Sequence, residues 1–442
     1  MIVDKADPMI ATAERLTRLL VSPRMGIARK LQLSENAPIA FGLSIANAIP
    51  SNLRGRNGSL VLPPCGGAAV SGANAAVAAL MELAERYCGF FSADLRMHTG
   101  PALDASYLWG ARLGVFAEWQ YEKPGFDFRK HDPQASVQWM HGRSLIDGRR
   151  RFLPAAWVQV PFFPTTPSEQ IMCSTSSGMA AAFDYDTAIA SGMLELLERD
   201  AFMVMWHHKI AMPAIRVDLP ILLGKTIAGN VHDGDVVLKF INLTNDLGVP
   251  VALCAMKRIW RGTTIHSIGA AARPSLRLAC QKAFYEATTE SHRQIVELRS
   301  GRTAWVPSSD FSNVTSFSHH GTLYSMKQYM AKLDFIWNMP ETQDIDGGRT
   351  LPPDGASLLR ALLDIVRANS MEAIAVSLST PEIRAVGIKV IKLVIPQLVS
   401  FYADHRYPNL GADRIWSAAE KLGASVDPQH RRIPNPLPHP FA

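Results

Sequence analysis

The chain has 442 residues, of which 48% are hydrophobic and 19% are charged. This composition excludes an intrinsically disordered chain, because disorder requires low hydrophobicity and high charge. Lysine and arginine number 45 against 39 acidic residues, and this small excess suits an anionic ligand but does not indicate nucleic-acid binding. No apolar run approaches ~18 residues, so we expect no membrane span.

The five cysteines are widely spaced along the chain: Cys65, Cys88, Cys173, Cys254 and Cys280. An odd count without a Cys-x-x-Cys pair argues against a disulfide framework and against a zinc ribbon. No secretory signal is visible at the start of the chain. These observations fit a reducing compartment, and we expect a cytoplasmic protein.

Periodicity and turn residues predict the elements in chain order. Helices are expected at residues 10–20, 73–90, 185–207, 275–298 and 354–369, and strands at 236–241, 249–254 and 386–395. Residues 305–356 contain clusters of serine, aspartate and glycine and are expected to form a mobile or linker region. Proline at every second position predicts an extended tail over residues 434–442. We expect a lead-in segment over residues 1–60 and one larger domain over residues 61–442.

An internal repeat is the most informative feature of the sequence. Residues 75–86 align without gaps on residues 188–199. Each copy has two small residues four apart, two glutamates three apart and then an arginine: Ala75, Ala79, Glu82, Glu85 and Arg86 in the first, and Ala188, Gly192, Glu195, Glu198 and Arg199 in the second. A weaker third copy has Glu286 at the first acidic position and Thr289 at the second.

The spacing within each copy has a physical interpretation. Small residues four apart share a helical face and let another backbone approach closely. Two carboxylates three apart are costly in a packed region unless a cation neutralises them, and Mg²⁺ commonly combines one or two carboxylates with substrate phosphates. The ordinary alternative is a solvated helix face with glutamate–arginine pairs. A ferritin-like di-iron site is excluded because it needs Glu-x-x-His.

Other residues could hold a phosphate, although no P-loop and no Gly-x-Gly-x-x-Gly occurs. The turn that contains Ser176 precedes the second repeat helix and could present backbone donors. Arg86 and Arg199 could orient the carboxylates or contact phosphate, and Arg293 is a further phosphate candidate. A plain turn and ordinary helical ion pairs are the alternatives.

Several segments together resemble the YcaO family. The stretch from Ser176 to Ala201, the earlier Glu-Leu-Ala-Glu-Arg at residues 82–86 and the late Gly-Ile-Lys-Val-Ile-Lys-Leu-Val-Ile-Pro at residues 387–396 carry the resemblance. The tail Pro-Asn-Pro-Leu-Pro-His-Pro-Phe-Ala resembles the endings of azoline-forming cyclodehydratases within this family. The matches follow the family's order from about residue 60 to the end.

The resemblance implies an α/β (α+β) fold of the YcaO type, in which antiparallel-rich sheets pack against the repeated Ala-rich helices with the nucleotide between them. It implies that residues 61–442 form an ATP-binding catalytic domain. The matching residues are metal ligands Glu82, Glu85, Glu195 and Glu198; nucleotide-binding Ser176, Arg86, Arg199 and Arg293; and Pro438, Pro440 and Ala442 in the catalytic machinery.

The implied reaction uses ATP and Mg²⁺ to convert Cys, Ser or Thr of a ribosomal precursor peptide to thiazoline or oxazoline. The expected partners are that peptide, an E1-like protein or recognition element that binds its leader, a flavin dehydrogenase that could oxidise the product, and a second copy of the chain. Thioamide formation by the same phosphorylation chemistry is one alternative. A non-catalytic scaffold that uses the repeat helices for protein contacts is another.

Overall fold

The computed structural model describes residues 8–52, 62–91, 97–109, 113, 115–232, 235–301, 305–353, 355–426 and 435–441. Its strands are β1 (Ala28–Ser34), β2 (Ser44–Pro50), β3 (Cys65–Ala69), β4 (Met97–Gly100), β5 (Val137–Ser144), β6 (Arg150–Pro154), β7 (Met179–Ala182), β8 (Ala214–Arg216), β9 (Val236–Asn242), β10 (Val251–Trp260), β11 (Thr263–Ala272), β12 (Glu341–Asp344), β13 (Ile374–Ser377) and β14 (Lys389–Val394).

Four long helices carry most of the helical residues: α1 (Pro8–Leu20), α2 (Gly72–Phe91), α5 (Tyr185–His208) and α8 (Leu276–Arg299). The remaining helices are α3 (Glu118–Tyr121), α4 (Ala155–Val158), α6 (Leu219–Leu223), α7 (Lys225–His232), α9 (Phe317–Leu323), α10 (Lys327–Met330), α11 (Asp334–Trp337), α12 (Gly355–Ala368), α13 (Pro381–Ala385) and α14 (Arg414–Lys421). Within the described residues, no helix is both long and apolar enough for a membrane crossing.

The strands form three sheets, and each sheet faces one long repeat helix. The first sheet has the order β1-β2-β3, the second β11-β10-β9-β8-β12, and the third β4-β5-β13-β14-β7 with β6 paired to β5. Among the paired strands of the described residues only β12 and β8 run parallel, so the expected antiparallel-rich α+β fold is confirmed. The helices α2, α5 and α8 bury their small and apolar faces against these sheets.

Helix capping explains where two of the long helices begin. Asp184 caps α5 by accepting a hydrogen bond from the Thr187 N–H, and Ser275 caps α8 through the Leu278 N–H. Each side chain satisfies a backbone donor that has no partner within its helix. The predicted long helices are therefore confirmed to within about two residues at their ends.

The region predicted as a mobile linker, residues 305–356, is folded in its described part. It forms α9, α10, α11 and β12, and Leu323, Tyr324 and Ile336 are buried in the main core. The prediction was wrong because helices of four to seven residues are too short to establish a readable period. The boundary proposed at residue 60 stays a prediction, although β2 before it pairs with β3 after it.

Candidate functional site

The small residues of the repeat allow each helix to lie directly on a strand. A Cβ atom on Gly67 of β3 would come within 2.3 Å of the Ala75 carbonyl oxygen and 2.7 Å of the Ala79 nitrogen of α2. A Cβ on Gly269 of β11 would come within 2.3 Å of the Ala283 carbonyl oxygen of α8 in the same way. The close backbone approach predicted from the spacing is thus present.

The first glutamate of each full repeat binds the backbone of its own unit. Glu82 Oε2 accepts a hydrogen bond from the Gly66 N–H at 2.9 Å, and Glu195 Oε2 accepts one from the Gly178 N–H at 2.7 Å. Gly178 has φ +79°, and a Cβ there would lie 2.3 Å from the Leu393 carbonyl oxygen. Only glycine fits this turn without strain.

The second glutamate of each repeat reaches the strand of the next unit. Glu85 Oε1 accepts from the Ala181 N–H of β7 at 2.8 Å, and Glu198 Oε2 accepts from the Ala272 N–H of β11 at 3.1 Å. The acidic pairs therefore lie between units and are not merely a solvated helix face. In the third copy Thr289 donates to the carbonyl of Tyr285 on its own helix at 2.9 Å, so the series of contacts ends there.

Basic side chains accompany the first glutamate in every copy. Arg86 lies 3.4 Å from Glu82, and Arg199 lies 2.6 Å from Glu195. Lys282 pairs with Glu286 in the third copy. The site consequently combines carboxylates for a cation with guanidinium and ammonium groups that can face phosphate.

The charges of the acidic pairs interact. Burial raises the pKa of Glu85 well above its ordinary value, and the negative charge of Glu195 raises it further. Burial likewise raises the pKa of Glu198 to about 8, with Glu195 and Glu286 adding to the effect. This electrostatic proximity places the four predicted ligands and Glu286 in one region. A bound divalent cation would relieve the repulsion and lower these pKa values.

Glu286 and Lys392 belong to this region, although the sequence analysis did not assign them to the site. Burial acts to raise the pKa of Glu286, but Lys282 outweighs it, and the pKa lies below its ordinary value. Lys392 of β14 is 1% exposed and donates to the Thr175 carbonyl at 2.6 Å. Burial lowers its pKa to about 7 against the attraction of Glu195. Two features of the sequence could have identified these residues: the third repeat, which contains Glu286, and the position of Lys392 inside an apolar strand.

The predicted phosphate-binding residues make different kinds of contact in the structure. Arg199 donates to the hydroxyl of Ser177, whereas the predicted residue Ser176 contributes its carbonyl to the turn by accepting from the Met179 N–H at 2.8 Å. Arg293 is engaged by Glu290 at 2.5 Å and by another glutamate further along α8. The assignments of Ser176 and Arg293 to a nucleotide stay predictions.

The described part of the tail, residues 435–441, is partly buried. Pro438 and Pro440 are buried, whereas Ala442 lies outside the described residues. Tyr324 donates to the Pro438 carbonyl, and the Trp206 indole donates to the Leu437 carbonyl at 3.2 Å. A proline side chain has no ionisable group, so these residues can contribute to catalysis only through position or backbone.

An aromatic contact connects the tail to the acidic region. The ring of Phe441 lies 5.0 Å from the ring of Phe401, measured between centroids, and the Arg199 guanidinium lies 5.1 Å from the same Phe401 ring. Such a cation–π contact helps to fix the arginine. The docked tail thus contacts Phe401, which in turn helps to hold the Arg199 guanidinium in position.

The residues present fit a magnesium–nucleotide complex. Among the described residues no three acidic, histidine or cysteine side chains converge closely enough to hold a metal by themselves. Mg²⁺ is commonly bound by one or two carboxylates together with phosphate oxygens and water. Glu85 and Glu198 each have one oxygen engaged by a backbone N–H, which fixes the carboxylate while the second oxygen can face a cation.

Solved structures that are similar to this chain include heterocyclases and a YcaO protein. A heterocyclase in complex with substrate and cofactor matches with TM-score 0.78 and 20% identity, over 98% of this chain and 57% of that one. YcaO from Methanopyrus kandleri, bound with AMPPCP and Mg²⁺, matches with TM-score 0.62 and 17% identity over 91% and 92% of the two chains. The E. coli microcin synthetase McbBCD complex matches with TM-score 0.60 and 14% identity over 83% and 88%.

These identities establish a shared fold, and the present chain spans little more than half of the first heterocyclase. The family assignment comes from the sequence itself. The family model described as YcaO cyclodehydratase, ATP- and Mg²⁺-binding, matches residues 66–399. Because this match covers well over half of the 442 residues, the chain belongs to the YcaO family, and ATP and Mg²⁺ are its cofactors.

Proposed function

We propose that this protein is an ATP-dependent cyclodehydratase that converts Cys, Ser or Thr residues of a ribosomal precursor peptide to thiazoline or oxazoline. One observation carries the proposal: two pairs of glutamates, on α2 and α5, are fixed by backbone N–H groups, and they lie in one region where burial and neighbouring negative charge raise the pKa values of Glu85 and Glu198. Such a region is suited to Mg²⁺ and the phosphates of ATP.

The reaction needs an activated amide oxygen. The side chain of the substrate residue attacks the preceding carbonyl carbon and loses its proton, and the resulting oxyanion takes the γ-phosphoryl group. Phosphate then departs with the former amide oxygen, and loss of the amide N–H proton leaves the C=N bond of the ring. Mg-ATP supplies the phosphoryl group and offsets the charge that develops on it.

We assign the residues as follows. Glu82, Glu85, Glu195 and Glu198 hold and orient the metal. Arg86 and Arg199 offset phosphate charge, and the Arg199 position is set by Ser177 and by the ring of Phe401. The buried tail with Pro438 and Pro440 holds the C-terminal half of α5 in place. Ala442 stays assigned to the catalytic machinery as a proposal. Ser176 and Arg293 are further contacts for the nucleotide.

The proposed partners follow from the same reaction. The heterocyclase neighbour is a complex with substrate, and the microcin synthetase neighbour is an assembly of several proteins. By analogy we propose that a precursor peptide is the substrate, that a leader-binding E1-like protein or recognition element presents it, and that a flavin dehydrogenase can oxidise the product. A homodimer is the proposed oligomeric state.

Calorimetric titration with Mg-ATP tests the proposal. Glu195→Gln and Glu198→Gln should each weaken binding tenfold or more, because each removes a fixed metal ligand. The exposed Glu420 on α14 provides the matched control, and Glu420→Gln should bind like the wild type. Equal binding by all three variants would favour the non-catalytic scaffold.

A second measurement addresses the chemistry. With Mg-ATP and a precursor peptide, the proposed reaction lowers the peptide mass by 18 Da for each ring formed, since one water is lost. Thioamide formation with sulfide would raise the mass by 16 Da, since sulfur replaces oxygen. An unchanged mass alongside ATP consumption would contradict both reactions.

A further inference from the structure

A cavity of about 380 Å³ lies outside the acidic region, between residues 115–131 and the start of α14. Its lining includes the aromatic side chains of Phe116, Trp119, Tyr121 and Trp416, together with aliphatic residues and three charged side chains. We call this space the aromatic cavity. A volume of this order accommodates a large side chain, since ligand pockets are typically ~300–1,000 Å³.

One buried polar group in the wall of the aromatic cavity lacks a partner. His131 is 8% exposed, and neither of its ring nitrogens has a hydrogen-bond partner within the described structure. Its ring lies between the indoles of Trp109 and Trp139, with centroid separations of 5.8 and 5.7 Å. Because a buried polar group without a partner is unfavourable, this imidazole points to a ligand that supplies one.

The aromatic cavity adjoins the region assigned to catalysis. Val115 lines it and also lines a cavity of about 20 Å³ that is bounded by Ser177 and Arg199. The neighbours Ile171 and Met172 likewise face the larger and the smaller cavity, respectively. A single layer of side chains therefore separates the aromatic cavity from the Arg199 side of the acidic region.

Aromatic walls favour an aromatic occupant, and the imidazole favours one with a hydrogen-bonding group at its end. We propose that the aromatic cavity binds a tyrosine side chain of the peptide substrate, with the phenol hydroxyl paired to His131. This inference rests on the proposed function, because a peptide that reacts beside Arg199 would bring nearby side chains to the aromatic cavity. The site would give the enzyme a preference for sequence around the reacting residue.

Binding of N-acetyl-tyrosinamide and N-acetyl-phenylalaninamide tests the site directly. Wild-type protein should prefer the tyrosine probe about fivefold, the effect of one neutral hydrogen bond. His131→Phe keeps a ring between the two indoles and should remove the preference. Ala117→Leu, which fills part of the aromatic cavity, should weaken both probes, whereas Ala11→Leu on the exposed face of α1 should change neither.

Two blocked pentapeptides that contain one cysteine and differ only in tyrosine or phenylalanine test the occupant. The wild type should prefer the tyrosine peptide about fivefold, and His131→Phe should not. Failure of either probe to bind, equal binding of both probes, or equal binding of both pentapeptides would overturn the proposal. Mg-ATP titration of the same samples distinguishes failure of the tyrosine site from failure of the proposed function. If the wild type does not bind Mg-ATP, that result counts against the proposed function instead.

Discussion

At the scale of single residues, the acidic site depends on backbone donors that only certain residues can present. Gly178 is the clearest case, because its N–H holds Glu195 while its positive φ and its close approach to the Leu393 carbonyl exclude a side chain. Gly148 has a similar φ of +73°, but a Cβ there would meet nothing within 4 Å. Substitution of either glycine therefore introduces backbone strain, whereas only substitution of Gly178 also introduces a steric clash.

We expect Gly178→Ala to lower the free energy of unfolding by about 2 kcal/mol more than Gly148→Ala, because it adds overpacking to the strain that both share. Mg-ATP affinity should fall only in Gly178→Ala, since the displaced turn carries the donor to Glu195. Urea denaturation and calorimetry measure the two effects. Equal losses of stability in both variants would refute the assigned role of the Leu393 contact.

The raised pKa of Glu198, about 8 in the folded protein against 4.5 in the unfolded chain, predicts a pH dependence of stability. The folded state retains a proton that the unfolded state releases, so this contribution is fully present below pH 4.5 and is lost as the pH rises through 8. In the absence of nucleotide, Glu198→Gln and the wild type should unfold at similar temperatures at pH 5, and the variant should be the more stable at pH 9. Thermal melts whose difference does not change with pH would contradict this.

At the scale of residues, the site could be predicted from the sequence only where its pattern is repeated. Glu82, Glu85, Glu195 and Glu198 were predicted because two gap-free copies make a coincidence of spacing improbable. Their individual partners could not be predicted, because the Ala181 and Ala272 N–H groups come from strands of other units. Long-range pairings of this kind leave no periodic trace in the sequence.

At the scale of elements, the long helices were predictable and the short ones were not. Helices α2, α5 and α8 run for 20 or more residues and carry the repeated small residues that pack against strands. By contrast, the sequence predicts a mobile or linker region over α9 to α11, whereas α9 and the residue that follows it form part of the wall on which the tail docks. In that wall Tyr324 donates to the Pro438 carbonyl and His320 contacts the His439 carbonyl at 2.8 Å.

The docked tail predicts that removal of residues 434–442 reduces turnover more than nucleotide affinity. Turnover, measured as phosphate release, should fall tenfold or more because Arg199 loses the support that reaches it through Phe401. Mg-ATP affinity should change less than about threefold, since the glutamates are fixed by strand N–H groups instead. If the truncated chain fails to fold, Tyr324→Phe provides a second test. It removes one donor to the tail and should lower turnover in the same way but to a smaller extent. Full turnover in both variants would refute the role of the tail.

At the scale of the whole molecule, the repeated unit explains why three sheets share one site. The two full repeats each bind their own backbone through the first glutamate and the strand of the next unit through the second. The third copy has Thr289 at that position, and its hydroxyl bonds within α8. If nucleotide binds at the glutamate pairs as proposed, its binding is coupled to the relative placement of the units. The sequence indicates the repeat but not the arrangement of the units in space.

The central claim is that the paired glutamates of α2 and α5 hold magnesium and the phosphates of ATP. A crystal structure of the protein with Mg²⁺ and a non-hydrolysable ATP analogue tests it most directly. The account predicts metal ions about 2.0–2.1 Å from carboxylate oxygens of Glu82, Glu85, Glu195 or Glu198, with the phosphates beside Arg86 and Arg199. Nucleotide bound elsewhere, with these four side chains making no contact to metal, would contradict it.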